Sequence, residues 1–352
     1  MRGSPTLAFV DAVNFELTYR CNTACPHCLQ QNIRRSVPAS AELSAAAVEK
    51  AIHDAWFCGL AKDGINLTGG EPLLFRPDVI RLIRYCRTLG LRVRLNTNSW
   101  WGRARDFKIG DHEFGSASEL VVFLKDCGLT VLALSFDERV EGDPGAFEDL
   151  AGVVAACEAD HFAYQIVCTG PDENRLLDAH DRLVKRIGAP PRCMIPVMME
   201  KVDIGGAASS IPGGGLDPRL VCALARGAGC KGRGFYRPSL LHVSPAGGVR
   251  TCCYAIGMAN LGNLLKSTLM DMVNRFPADP VALAFENSRI EAYADKLLRP
   301  HAHRYRAFAH PCAACAVLGR LVEQYSSLGR EPTPADIEAI NTKTANELNL
   351  LL

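Results

Sequence analysis

Cys21, Cys25 and Cys28 fall within eight residues, spaced Cys-x-x-x-Cys-x-x-Cys, directly after a segment that alternates polar and apolar residues. Three thiolates on one loop can reach one metal centre, whereas a fully ligated iron–sulfur cluster or structural zinc site takes four protein ligands. The next cysteine along the chain is Cys58. Two readings follow: a cluster with one open iron, or a zinc site completed by His27 or by a distant residue. An open position on a metal is where a substrate or cofactor binds. A second set of cysteines lies far downstream: Cys222, Cys230, Cys252, Cys253, Cys312 and Cys315.

The elements that must position these residues show in the hydrophobic pattern. Residues 11–19 read as a half-buried strand, and an Ala-rich helix follows from Ser40 and Glu42 to Cys58, ended by Gly59. Further strands are expected at 65–68, 92–96, 131–136, 164–169 and 194–199. Helices are expected at 77–89, 118–127, 147–159 and 172–187. Strand and helix alternate, which predicts an α/β fold with a parallel sheet. A partial barrel and an open sheet both satisfy the pattern, and both place a ligand at the C-terminal ends of the strands. The pattern breaks at Gly205-Gly206 and Gly213-Gly214-Gly215. The expected division is therefore residues 1–205, a Gly-rich connection at 206–229, and a smaller domain at 230–352 that opens with a β-like piece (240–253) and continues mostly as helix.

Composition narrows the classes. The chain has 352 residues, 48% hydrophobic and 22% charged, which excludes a disordered chain. A net charge of +1 gives no reason to expect nucleic acid or an anionic membrane as partner. No apolar run is long enough to cross a bilayer, and Asp11, Asn14 and Glu16 interrupt any signal-peptide core. Fifteen cysteines without an export signal point to a reducing cytoplasm, with some thiols as metal ligands and others as small core residues. Cys58, Cys86, Cys127 and Cys157 fall at apolar spacing in helices and read as core.

Together the motifs resemble those of radical S-adenosylmethionine (radical SAM) enzymes. Cys21-Asn-Thr-Ala-Cys25-Pro-His-Cys28 is similar to the signature loop after the first strand. Gly69-Gly70-Glu71-Pro72 after the second strand matches the family's Gly-Gly-Glu-Pro motif. Asn96-Thr97-Asn98 resembles its Thr-Asn-Gly element, with Ser99 where glycine is usual, and Leu134-Ser135-Phe136-Asp137 resembles the ribose-contacting segment. The resemblance covers residues 11–200. It implies a partial (β/α)6 barrel with a [4Fe–4S] cluster on Cys21, Cys25 and Cys28, whose open iron takes the amino and carboxylate groups of SAM. Gly69 and Gly70 would let the backbone approach the ligand. Glu71 would meet the methionine ammonium, His27 would pack on adenine, and Ser135 would bind a ribose hydroxyl. Asn98 and Asp137 complete the implied cofactor set.

The C-terminal cysteines, with Gly247 and Leu261-Gly262-Asn263, resemble the SPASM/twitch extension. With no cysteine beyond Cys315, the shorter twitch form with one auxiliary [4Fe–4S] cluster is implied, held by Cys230, Cys252, Cys312 and Cys315. Cys222 could replace Cys230, and Cys253 could replace Cys252. His301, His303 and His310 read as solvated surface. Cys168, at the end of the fifth strand, reads as core or as a hydrogen-atom donor to a substrate radical. Trp100-Trp101 reads as pocket lining or as a loop anchor.

The expected activity is reductive SAM cleavage to a 5′-deoxyadenosyl radical, followed by hydrogen abstraction from a peptide during oxidation, cross-linking or epimerisation. A small metabolite, such as an alcohol dehydrogenated in aminocyclitol antibiotic synthesis, is the alternative substrate, and a non-catalytic metal-binding or electron-transfer protein is the remote one. A flavodoxin or ferredoxin is the expected electron donor. Only 20 residues precede Cys21, so leader-peptide recognition is expected from a separate protein or not at all.

Overall fold

A computed structural model of the chain describes residues 12–25, 28, 30, 37–169, 174–199, 240–250, 261–275, 321, 324–325 and 327–347. The chain divides into two units. One comprises Ala12–Pro26 and Ala39–Lys201; the other comprises Met1–Asp11, His27–Pro38 and Val202–Leu352.

The first unit is an alternation of strand and helix. Its strands are β1 (Ala12–Glu16), β2 (Gly64–Thr68), β3 (Val93–Thr97), a small hairpin of β4 (Phe107–Ile109) and β5 (His112–Phe114), then β6 (Val131–Phe136), β7 (Tyr164–Thr169) and β8 (Met194–Met199). Its helices are α1 (Ala45–Phe57), α2 (Pro72–Phe75), α3 (Val79–Thr88), α4 (Ala117–Cys127), α5 (Glu138–Gly142), α6 (Pro144–Ala159) and α7 (Asn174–Ile187). The main sheet runs β1-β2-β3-β6-β7-β8, and every one of these pairs is parallel. Consecutive strands are neighbours throughout, with no reversal of order. That is the connectivity of a β/α barrel rather than of a doubly wound sheet.

Side-chain alternation gives the sheet two unlike faces. One carries Val13, Phe15, Ile65, Leu67, Val93, Leu95, Leu132, Leu134, Tyr164 and Ile166, all essentially without solvent contact. The helices supply the apolar partners for this face, including Leu82 and Ile83 of α3, Leu120 and Leu124 of α4, and Leu150 and Val154 of α6. The other face carries Asn14, Glu16, Asn66, Arg94, Asn96 and Gln165.

Helix ends follow local chemistry. The Ser44 side chain accepts from Ala47 N at the start of α1, the Ser116 side chain accepts from Glu119 N at the start of α4, and Gly128 ends α4 in the left-handed conformation. The first strand, Ala12–Glu16, is shorter than the 11–19 expected; beyond it Leu17 still donates to Thr68 O as the chain runs into the cysteine loop. The third helix starts at Val79 rather than Pro77. Cys86, Cys127 and Cys157 are core residues. Cys58 is not, being the half-exposed C-cap of α1.

In the second unit, β9 (Leu240–Val243), β10 (Gly248–Arg250) and β11 (Gly262–Asn263) form an antiparallel meander. It sets His242 opposite Arg250. Both are buried, and burial together with the Arg250 charge holds the imidazole neutral. Two described helices follow, at Leu269–Arg275 and Pro334–Glu347. The connection at 206–229, His27, Cys222, Cys230, Cys252, Cys253, Cys312, Cys315 and the three C-terminal histidines lie outside the described residues.

Candidate active site

The site is built where β1, β2 and β3 end together. Beyond β1 the chain stays extended, and the loop after β2 pairs with it. Gly70 N donates to Thr18 O at 2.7 Å, and Glu71 N donates to Arg20 O at 2.9 Å. Such close approach leaves no room for a side chain: a Cβ on Gly70 would sit 2.0 Å from Arg20 O, and one on Gly69 2.3 Å from Thr18 O. Gly69 also takes φ 140°, which L side chains rarely adopt. Two arginines brace this junction. Arg76 donates to the carbonyls of Leu17 and Leu43, and Arg20 forms a forked pair with Glu42 and caps Phe75 O.

Glu71 has no solvent contact. Thr97 Oγ1 donates to its carboxylate at 3.0 Å, and Asn98 N donates to Oε2 at 2.7 Å. Burial nevertheless dominates and raises its pKa to about 7. The donors from Asn98, Thr97 and Leu73 and the Arg139 charge pull the other way without cancelling it. Thr97 is held in turn by Trp101, whose Nε1 donates to Thr97 Oγ1 at 3.2 Å. Trp101 is fully buried and is therefore the loop anchor of the two roles expected for it. Trp100 packs edge-on against Phe107 of the β4–β5 hairpin.

Asn98 joins three loops. Its Nδ2 donates to Asn22 Oδ1 at 2.7 Å and approaches Cys21 Sγ at 3.7 Å, and its carbonyl accepts from Arg139 Nη2 at 3.2 Å. The turn continues through Ser99 at φ 66°, a left-handed position, which accounts for glycine being the usual residue there. In the cysteine loop, Thr23 Oγ1 lies 3.2 Å from Cys21 Sγ and 3.6 Å from Cys25 Sγ, so one hydroxyl meets both sulfurs. Cys21, Cys25 and Cys28 are half-exposed. Among the described residues, no three Cys, His, Asp or Glu side chains are already gathered around one point. The donor set still suits a soft metal cluster: Cys21 and Cys25 share one hydroxyl, and Asn98 links Cys21 to a buried carboxylate whose hydrogen-bond donors are neutral.

The remaining expected residues fall as follows. Ser135 is half-exposed near the end of β6, on the polar face of the sheet and in register with Val167. Asp137 is buried as the N-cap of α5, where its side chain accepts from Arg139 N and Val140 N. Cys168 is in register with Phe136 and Met198 on the opposite, apolar face. It is fully buried, its Sγ lies against Arg175 O, and burial pushes the thiol up to about 12. That is a packing position, turned away from the polar face on which a hydrogen donor would be needed. Thr97 was not expected as a site residue, Trp101 only as pocket lining or a loop anchor, and Arg139 not at all. The Trp101 spacing four residues after Thr97 is the one sequence signal for the first two.

Residues 15–199 match the Radical SAM superfamily, more than half of the chain. The chain belongs to this superfamily. Relatives include an AdoMet-dependent heme synthase of Methanosarcina barkeri (33% identical, covering 50% of this chain and 48% of the relative) and a PqqA peptide cyclase of Methylobacterium nodulans (31%, 46% and 36%). A probable GTP 3′,8-cyclase of Methanothermobacter marburgensis is 29% identical, over 36% of this chain and 35% of the relative. The chain thus spans less than half the length of these curated relatives. The solved structure of tagged anSMEcpe with bound AdoMet superposes with a TM-score of 0.51 at 13% identity, covering 96% of this chain and 97% of that one, which shows a shared fold. No described helix is long and apolar enough to cross a membrane. Members of this superfamily are enzymes, and the family implies a [4Fe–4S] cluster and SAM.

Proposed function

We propose that this chain reductively cleaves SAM and abstracts a hydrogen atom from a peptide, in an oxidation, cross-link or epimerisation. The observation that carries this is Glu71, buried, held by neutral donors and tied through Asn98 to the cysteine loop. When bound on Cys21, Cys25 and Cys28, a [4Fe–4S] cluster supplies one electron for sulfonium cleavage and an iron corner for the amino and carboxylate groups.

The protein's own part is positional. Glu71 meets the ligand's ammonium, and the arriving cation draws its pKa back down. Thr97, Trp101 and Asn98 N hold that carboxylate in one orientation. The bare backbone at Gly69-Gly70 forms the floor under the ligand. Ser135 offers its hydroxyl to the ribose, Asp137 fixes the start of α5 beside it, and His27 packs on adenine.

The peptide reading is supported by the PqqA peptide cyclases among the relatives. The second reading, a small metabolite, is favoured by the likeness to a heme synthase and to a GTP cyclase. In either case we propose an auxiliary [4Fe–4S] cluster of twitch type on Cys230, Cys252, Cys312 and Cys315, and a flavodoxin or ferredoxin as electron donor. The test is anaerobic reconstitution with iron and sulfide, followed by SAM and dithionite. The wild-type chain should release 5′-deoxyadenosine, and the Cys25→Ala protein should release none. A wild-type preparation that binds iron yet yields no 5′-deoxyadenosine contradicts the proposal.

A further inference from the structure

The polar face of the main sheet holds a charge that nothing described neutralises. Arg94, the second residue of β3, is in register with Asn66 of β2. Two residues on, Asn96 is in register with Ala133 of β6, and Ala133 with Gln165 of β7. Ala133 is the short side chain in this row. The Arg94 side chain reaches across β6 and donates from Nε to Gln165 Oε1 at 2.6 Å. Among the described residues no carboxylate pairs with Arg94; its partner there is a neutral amide. Burial alone moves its pKa, down to about 10, with no opposing charge to hold it up.

The amides beside it are equally unsatisfied. Asn66 is only 8% exposed, and among the described residues neither its Oδ1 nor the buried Oδ1 of Asn96 has a hydrogen-bond partner. Among the described residues, a half-buried cation without an anion, flanked by two buried amide oxygens without donors, is a costly arrangement for an unliganded core. It is the complement of a molecule that brings a carboxylate and N–H groups together. The row lies away from the cofactor ledge: Arg94 is three residues before Thr97, about 10 Å along the strand.

We propose that Arg94, with Gln165, Asn66 and Asn96, is a carboxylate-recognition subsite for the substrate peptide. The guanidinium takes an acidic group, and the two asparagine oxygens take N–H donors of the adjoining backbone. The inference rests on the peptide reading above and adds its chemistry: the peptide presents a carboxylate, from an acidic side chain or its C-terminus.

The test uses the full chain, reconstituted and loaded with SAM, and three probes: acetyl-Ala-Glu-Ala-amide, acetyl-Ala-Gln-Ala-amide, and acetyl-Ala-Ala-Ala with a free C-terminus. Thermal midpoints are followed against peptide concentration. A carboxylate peptide should raise the wild-type midpoint saturably while the Gln peptide does not. Whichever carboxylate peptide acts identifies the source of the acid. Arg94→Gln should weaken that peptide about tenfold, the loss expected for one charge-assisted contact. Arg94→Lys, which keeps the charge but not the fork, should weaken it by less while retaining the preference for acid. If Arg94→Gln does not fold, Arg94→Lys decides, and unchanged affinity in it overturns the proposal. Equal binding of the Gln peptide, full affinity in Arg94→Gln, or no binding of any probe by the wild type also overturns it. The 5′-deoxyadenosine yield of the same wild-type preparation judges the function reading separately. Loss of that yield with the acid preference intact would remove the function and leave the subsite.

Discussion

Glu71 concentrates the chemistry of the site in one carboxylate. Its pKa of about 7 against 4.5 in the free side chain means that the folded chain holds a proton there which the unfolded chain releases. The sign follows from linkage. The group's contribution to stability is fully present below pH 4.5 and is lost as pH rises through about 7, a swing on the order of 3 kcal/mol. Glu71→Gln removes the titration. The stability of wild type relative to Glu71→Gln, from denaturant unfolding without SAM, should therefore fall between pH 5 and pH 8. A flat difference would mean that Glu71 is already ionised. Residue types made this site legible from sequence, since thiols, paired glycines and a carboxylate each carry a distinct chemistry. The hold of Thr97 and Arg139 on the site, and the bond from Trp101 to Thr97, were not legible. They depend on side chains that meet only after β3 and β6 are in register.

At the level of strands and helices, the loop after β3 is held by contact too close for any side chain. Gly102 lies against α6, and a Cβ there would sit 1.7 Å from Asp149 O; a Cβ on Gly152 of the same helix would sit 2.3 Å from Gly102 O. Both neighbours are backbone, so neither can yield cheaply. Gly102→Ala should destabilise the fold by roughly 3 kcal/mol through forced separation of the loop from α6. It should also weaken SAM binding, because the same loop carries Trp101 and through it Thr97 and Glu71. A melting temperature equal to wild type would contradict this. The six parallel strands were readable because their β-branched and aliphatic runs alternate with helical periods and end at glycines. The β4–β5 hairpin was not anticipated. Each strand has three residues and no room for a period, and its aromatic packing of Phe107, Phe114 and Phe123 joins residues from separate elements. Its Gly110-Asp111 turn was the available signal.

For the chain taken entire, the two units pose different questions. The first has its strand order and cofactor ledge described. The second carries the proposed auxiliary ligands, of which Cys315 belongs to the Cys-x-x-Cys pair. If both clusters form, a reconstituted chain holds about eight irons, and Cys315→Ala should lower that to about four. An unchanged iron content would remove Cys315 from the ligand set. The boundary near residue 205 rested on glycine composition, which marks where regular structure stops but not which side chains cross between segments. The N-terminal thiols bear most of the weight. Electron paramagnetic resonance of the dithionite-reduced protein, recorded before and after adding SAM, tests directly whether they leave one iron open to that ligand. The g values of the N-terminal cluster should shift on addition, and Glu71→Gln should need more SAM for the same shift. A spectrum indifferent to SAM, or zinc on the N-terminal cysteines, would contradict the assignment.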